Sequence, residues 1–171
     1  MNIVLIGYRG TGKSVVAELL AQKLGMESVA MDARIVKNAG RSIPEIVEQE
    51  GWPKFRDLEA ELARQLSADD NIIIDTGGGV IERPENIEAL KTSGLIFWLR
   101  ASTAVIVNRI ASGTERPALT AGKTFTEEVE EVLAKRTPKY SAASQYEINT
   151  DELTPDQIAA RIIEIWEKRT G

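Results

Sequence analysis

Apolar residues fall along this chain in two alternating patterns. Unbroken runs at Ile3-Val4-Leu5-Ile6, Ile72-Ile73-Ile74 and Leu95 to Leu99 are what strands covered on both faces require. Residues 27 to 31 and Tyr146 to Ile148 predict two shorter strands. Between these runs, apolar positions recur at helical spacing over Val15 to Leu24, Pro84 to Leu90 and Thr103 to Ala111. Gly25 offers a C-cap to the first of them. A last helix, Thr154 to Arg169, opens with Thr154 as N-cap, Pro155 in the first helical position and Asp156 after it. Strands alternating with helices predict an α/β domain whose parallel sheet carries helices on both faces. Ligands then gather at the carboxyl ends of the strands.

Two stretches interrupt the alternation. From Ala33 to Ser67 the pattern is helical only, with segments at Arg34 to Ala39, Ile43 to Glu50 and Trp52 to Leu66, so it reads as a helical insertion between strands. Ser112 to Thr124 is rich in Gly, Ser, Thr and Pro and reads as a long loop of the kind that forms lids. Phe125 to Lys135 follows as a charged amphipathic helix, continuing toward Tyr140. There is no internal repeat and no low-complexity segment.

Composition narrows the chemistry. The 171 residues fit one domain, and 43% hydrophobic with 27% charged residues describes a globular chain. A net charge of −5 argues against nucleic acid held by broad electrostatic attraction, so any anion must be gripped locally. With no cysteine and no histidine, thiol nucleophiles, Cys/His zinc sites and histidine acid–base schemes are excluded. Carboxylates, Lys, Arg, hydroxyls or a bound metal must carry any reaction. No apolar run approaches the roughly 18 residues of a membrane span, and a cytoplasmic location is expected.

The most specific motif is Gly7-Tyr8-Arg9-Gly10-Thr11-Gly12-Lys13-Ser14, placed after the first strand and before the first helix. In a G-x-x-x-x-G-K-[ST] loop the backbone N–H groups converge on phosphate oxygens, the lysine reaches the terminal phosphates and the hydroxyl serves a magnesium ion. The helix N-terminus adds its positive dipole end at the same place. Three further loops follow strand ends. Asp32 can cap a helix and still face the crevice. Asp75-Thr76-Gly77-Gly78-Gly79 suggests a backbone that a ligand approaches closely, a flexible turn being the plainer reading. Asp75 stands where nucleotide-binding proteins of this type place an acid near magnesium. Arg116, in the long loop, suits closure over phosphates, or is an ordinary solvated arginine. Arg56 and Arg136 read by themselves as surface charges.

Taken together, the phosphate loop, Asp32, Gly40-Arg41-Ser42-Ile43, Phe55-Arg56 with Glu59, Thr76-Gly77-Gly78-Gly79, Arg116-Pro117 and Arg136-Thr137-Pro138-Lys139-Tyr140 resemble the shikimate kinases over nearly the whole chain. The resemblance implies a three-layer P-loop kinase fold: a five-stranded parallel sheet flanked by helices, a substrate-binding region over about residues 33–60 and a lid over about 112–124, all in one domain of residues 1–171. It implies transfer of the ATP γ-phosphoryl group to the 3-hydroxyl of shikimate, a step of chorismate and aromatic amino-acid biosynthesis. Arg56 and Arg136 would hold the substrate carboxylate, for which a guanidinium fork is well shaped. Asp32 would bind ring hydroxyls and accept a proton. Gly77, Gly78 and Gly79 would line the substrate, with the Gly78 N–H near the γ-phosphate. Lys13 and Arg116 would neutralise phosphoryl charge. Gly10, Thr11, Gly12, Lys13, Ser14 and Val15 would cradle ATP, and Arg109 would lie against adenine opposite the Thr150 to Pro155 loop. Ser14 would ligate Mg2+. A monomer acting on small molecules, with neither nucleic acid nor membrane as partner, is expected.

One departure matters. Many members carry an acid two residues before the position of Asp32, contacting a magnesium-bound water, and this chain has Ala30. Asp75 is the candidate to replace it. Two other readings stay open at this level: a related small-molecule kinase such as a gluconate kinase, and a nucleotide-binding module without turnover.

Overall fold

The chain folds around a five-stranded, wholly parallel sheet in a computed structural model that describes residues 1–111 and 124–171. In chain order, β1 (Asn2–Ile6) leads through the glycine-rich loop to α1 (Lys13–Leu24), and β2 (Glu27–Ala30) runs directly into α2 (Met31–Ala39). Next come α3 (Ile43–Glu50), α4 (Trp52–Leu66) and β3 (Ile72–Asp75), with no strand between β2 and β3. A short 3-10 turn (Val80–Glu82), α5 (Pro84–Ser93), β4 (Gly94–Arg100) and α6 (Thr103–Ala111) follow. After residues 112–123 come α7 (Phe125–Ala143), β5 (Tyr146–Asn149) and α8 (Pro155–Thr170). The expected lid, with Arg116, lies outside the described residues.

The strand order is β2-β3-β1-β4-β5. Because successive side chains of a strand point to opposite faces, the continuous apolar runs divide into two cores. Val4, Ile6, Ile72, Ile74, Ile96 and Trp98 face the side covered by the helical insertion, α5 and α7. Ile3, Leu5, Ile73, Leu95, Phe97 and Leu99 face α1 and α8. Burial on both sides explains why these strands lack the alternation of a half-exposed sheet. β1 sits in the middle, paired with β3 and β4, so the loop that leaves it opens where the strand order reverses, the place where α/β sheets bind ligands.

Two local expectations need correction. Asp32 is not an N-cap: β2 ends at Ala30, the helix begins at Met31, and Asp32 lies within its first turn. The α7 helix also runs past Lys135 and Tyr140 to Ala143, through Pro138. An internal proline removes one backbone hydrogen bond, but Tyr140, fully buried and stacked on Trp98 with ring centroids 5.8 Å apart, anchors the helix beyond it. Thr124 supplies the start through a capping box with Glu127.

Candidate active site

Two cavities open at the carboxyl ends of the strands and meet. One, of about 500 Å³, is lined by the phosphate loop from Gly10 to Val15 except Thr11, and by Ala30, Asp75, Arg109 and Ile110. The other, of about 200 Å³, is walled by Trp52, Phe55, Arg56, Glu59, Gly79 and Arg136. Arg9, Asp32, Gly77 and Gly78 line both.

The phosphate side is made largely of main chain. Gly12 holds φ at 89°, a left-handed conformation that a side chain resists, and turns the chain into α1. The first turn of α1 has no capping side chain and no acid, so its N-terminal amides face the cavity without an internal anion. Lys13 is nearly buried, and its ammonium donates to the carbonyls of Gly7 at 2.7 Å and Tyr8 at 3.1 Å. Thr11 turns its hydroxyl inward to the Tyr8 carbonyl at 2.8 Å, so its side chain braces the loop. The Arg109 guanidinium ties α6 to the Gly10 carbonyl at 3.3 Å and to Thr150 at 3.2 Å, bringing the Thr150 loop beside the cavity.

Ser14 donates its hydroxyl to Asp75 Oδ2 at 2.8 Å. Burial pushes the Asp75 carboxyl above its ordinary value, against the pull of Lys13 and Ser14, and Asp32 and Glu18 push the same way as burial. Ala30 and Asp75 are register partners on neighbouring strands. The acid absent at position 30 thus has a carboxylate one strand across, already in contact with Ser14. A hydroxyl and a carboxylate are the oxygen donors a hard dication accepts, so this pair fits magnesium. Among the described residues no cluster of three or more acids or other ligands forms a metal cage, so an ion here would depend on nucleotide phosphates for the rest of its shell.

The acid side is made of side chains from distant points in the chain. Arg56 on α4 bonds Glu59 Oε1 at 2.8 Å, and its guanidinium carbon lies 5.4 Å from the Trp52 ring centre and 5.2 Å from that of Phe55. Glu59 is completely buried, and that burial lifts its carboxyl above the ordinary range despite Arg56. Arg136 on α7 bonds Glu82 Oε1 at 3.2 Å, and Lys139 bonds Oε2 of the same carboxylate at 3.0 Å. Partial burial works to raise Glu82, but Lys139 and Arg136 together hold it below its ordinary value. Tyr140 donates to the Gly78 carbonyl at 2.5 Å, and burial pushes its phenol up to about 12.

The triple glycine is the shared floor. A Cβ on Gly77 would stand 2.6 Å from Asp32 Oδ1, and one on Gly79 would run into the Arg56 guanidinium. None of the three glycines needs positive φ. Their smallness lets the protein's own Asp32 and Arg56 lie down on the backbone, which is why a single glycine would not serve.

The structure therefore gathers Lys13, Asp32, Arg56, Asp75, Gly77, Gly78, Gly79, Arg109 and Arg136 around two joined cavities, with Arg116 outside the described residues. Unassigned partners come with them: Glu82 and Tyr140 behind Arg136 and the glycines, Glu59 behind Arg56, and Arg9 at the junction. The Arg56 and Glu59 pair was detectable as an i,i+3 spacing on one helix face. Arg9 occupies a position that the loop motif leaves open, so nothing in the spacing marks it.

Fold and site define a P-loop nucleotide-binding protein with a compartment for a small anion beside the phosphates. The shikimate kinase family profile matches residues 9–167. A shikimate kinase from Thermodesulfovibrio yellowstonii is 43% identical over 98% of this chain and 95% of its own length. The structure of the shikimate kinase from Acinetobacter baumannii in complex with shikimate superposes with a TM-score of 0.90 at 30% identity, covering 98% of this chain and 93% of that one. A gluconokinase from Sinorhizobium meliloti, with a TM-score of 0.60 at 17% identity over 99% of this chain and 97% of its own, shares the fold alone. The chain belongs to the shikimate kinase family.

Proposed function

We propose that this protein transfers the γ-phosphoryl group of ATP to the 3-hydroxyl of shikimate through the two joined cavities, and that Asp32, at their junction, is the group on which the reaction turns. The observation that carries this reading is the placement of two guanidinium groups in one small compartment that shares Arg9, Asp32, Gly77 and Gly78 with the phosphate-side cavity. Arg56 and Arg136 bind the shikimate carboxylate, exchanging part of their hold on Glu59 and Glu82 for it. Asp32 orients the ring hydroxyls and takes the proton of the attacking one. The new bond joins that oxygen to the γ-phosphorus, the bond from phosphorus to the β,γ-bridging oxygen breaks, and its electron pair leaves with ADP. Lys13, the loop amides and Arg116 balance the negative charge of the phosphoryl group. Arg109 and the Thr150 loop flank the adenine.

Ser14 and Asp75 are the residues that would hold Mg2+ beside the phosphates, Asp75 standing in for the acid absent at Ala30. When bound, the ion offsets phosphate charge. One chain supplies both compartments, which supports a monomer. No described helix is long and apolar enough to cross a membrane, in keeping with a cytoplasmic enzyme of small metabolites, and the net charge of −5 does not favour nucleic acid.

The test is a coupled assay with ATP and magnesium that offers shikimate and gluconate in parallel. Turnover of shikimate with loss of activity in folded Asp32→Ala and Arg136→Ala variants is expected. Preference for gluconate, or nucleotide binding without phosphorylated product, contradicts the proposal.

A further inference from the structure

Among the described residues, one cation at the junction has no hydrogen bond to explain it. The Arg9 side chain has Nε and Nη2 shielded from solvent, and neither meets an acceptor. Its contacts are ring faces: the guanidinium carbon lies 5.9 Å from the centre of Tyr8 and 5.6 Å from that of Phe125. A guanidinium is always charged, and leaving its donors shielded and unmatched costs free energy that folded proteins seldom leave unanswered. Such a group calls for an anion that arrives with the ligands.

Position says which anion. Arg56 and Arg136 line the acid-side cavity and not the phosphate-side one, whereas Arg9 lines both. Its backbone nitrogen stands 3.7 Å from the place a Gly78 Cβ would occupy, so the residue lies directly across the glycine floor. The group that crosses from one cavity to the other is the phosphoryl group. Its oxygens carry charge both in transit and as the new phosphate monoester. The carboxylate, by contrast, belongs to the far wall.

Building on the functional reading above, we infer that Arg9 is a phosphoryl-binding residue: its Nε and Nη2 donate to oxygens of the transferred phosphoryl group and hold that group in the product. Without ligands the guanidinium rests on the rings of Tyr8 and Phe125, a cation–π contact that uses none of its donors, and it turns off those rings to meet the phosphoryl oxygens.

The distinguishing quantity is affinity for shikimate 3-phosphate relative to shikimate, measured by titration calorimetry on wild type, Arg9→Met and Arg9→Lys. Arg9→Met is expected to weaken binding of shikimate 3-phosphate by about tenfold to a hundredfold, with shikimate changed by no more than about twofold. Arg9→Lys should recover part of the loss, because it restores the charge without the fork. Equal weakening of both ligands, or no change in either, overturns the assignment and leaves the functional reading standing. A wild-type protein that phosphorylates no shikimate overturns both. Should Arg9→Met fail to fold, a crystal of wild type soaked with shikimate 3-phosphate decides: a phosphoryl oxygen about 3 Å from Nε or Nη2 supports the inference, and a phosphate held entirely by other groups overturns it.

Discussion

The phosphate-side cavity is walled chiefly by the loop between β1 and α1, with the ends of β2 and β3 and two residues of α6, whereas the acid-side cavity collects single side chains from α4, α7 and the glycine turn. The first offers main-chain amides and a helix end, geometry that the backbone fixes by itself. The second offers two guanidinium groups, each held by a carboxylate of the protein, Glu59 or Glu82. Backbone sites are preformed, and side-chain sites must be kept in place by partners. Substitutions should therefore act through different kinetic constants on the two sides, and the junction should be more sensitive than either.

The severest break is at the junction. Asp32→Ala should lower kcat by about a hundredfold to ten-thousandfold while the thermal transition stays close to wild type, as steady-state kinetics with a melting curve will show. On the acid side, Arg56→Met or Arg136→Met should each raise the KM for shikimate by about tenfold to a hundredfold and leave the KM for ATP nearly unchanged. A matched rise in both KM values would erase the division between the compartments. On the phosphate side, Asp75→Asn should raise the magnesium concentration for half-maximal rate by about tenfold with the shikimate KM unaffected, and an unaltered magnesium titration removes Asp75 from the account.

Glu59→Gln sharpens the comparison through pH. The buried Glu59 carboxyl has its pKa raised from the ordinary 4.5, so the folded protein holds this proton more tightly than the unfolded chain does. Its contribution to stability is complete below about 4.5 and is lost as pH rises through the folded value. The glutamine variant lacks that titration. Its stability relative to wild type should be greatest at neutral to alkaline pH and shrink toward pH 4, read by denaturant melts across the range. The smallest effect is expected from Tyr140→Phe, which deletes the bond to the Gly78 carbonyl and should cost about 1 kcal/mol of stability.

The same contrast decides what could be read from the sequence. The five strands, α3 at Ile43–Glu50 and α4 at Trp52–Leu66 follow from apolar periodicity and glycine breaks, because buried parallel strands and amphipathic helices announce themselves locally. The phosphate loop was legible for the same reason, being one contiguous motif. Arg56 and Arg136 were not legible from their surroundings: each looks like a surface charge until α4 and α7 are packed against one sheet, and only likeness to a family singled them out. The sequence carries α7 toward Tyr140, and the helix ends a little beyond it at Ala143, with the buried Tyr140 holding the part that follows Pro138. The capping alternative for Asp32 fails because β2 passes into α2 with no intervening residue and Ala30 takes the N-cap place. The triple glycine reads as a backbone that a ligand approaches closely, and the structure adds a reason invisible in the sequence: at Gly77 and Gly79 the missing side chains also make way for Asp32 and Arg56.

A crystal structure with an ATP analogue and shikimate bound together tests the central claim most directly. The account predicts the carboxylate between Arg56 and Arg136, a ring hydroxyl on Asp32 and the terminal phosphate across Gly78 from it. Shikimate seated away from Asp32, or the two arginines still engaged only with Glu59 and Glu82, would contradict it.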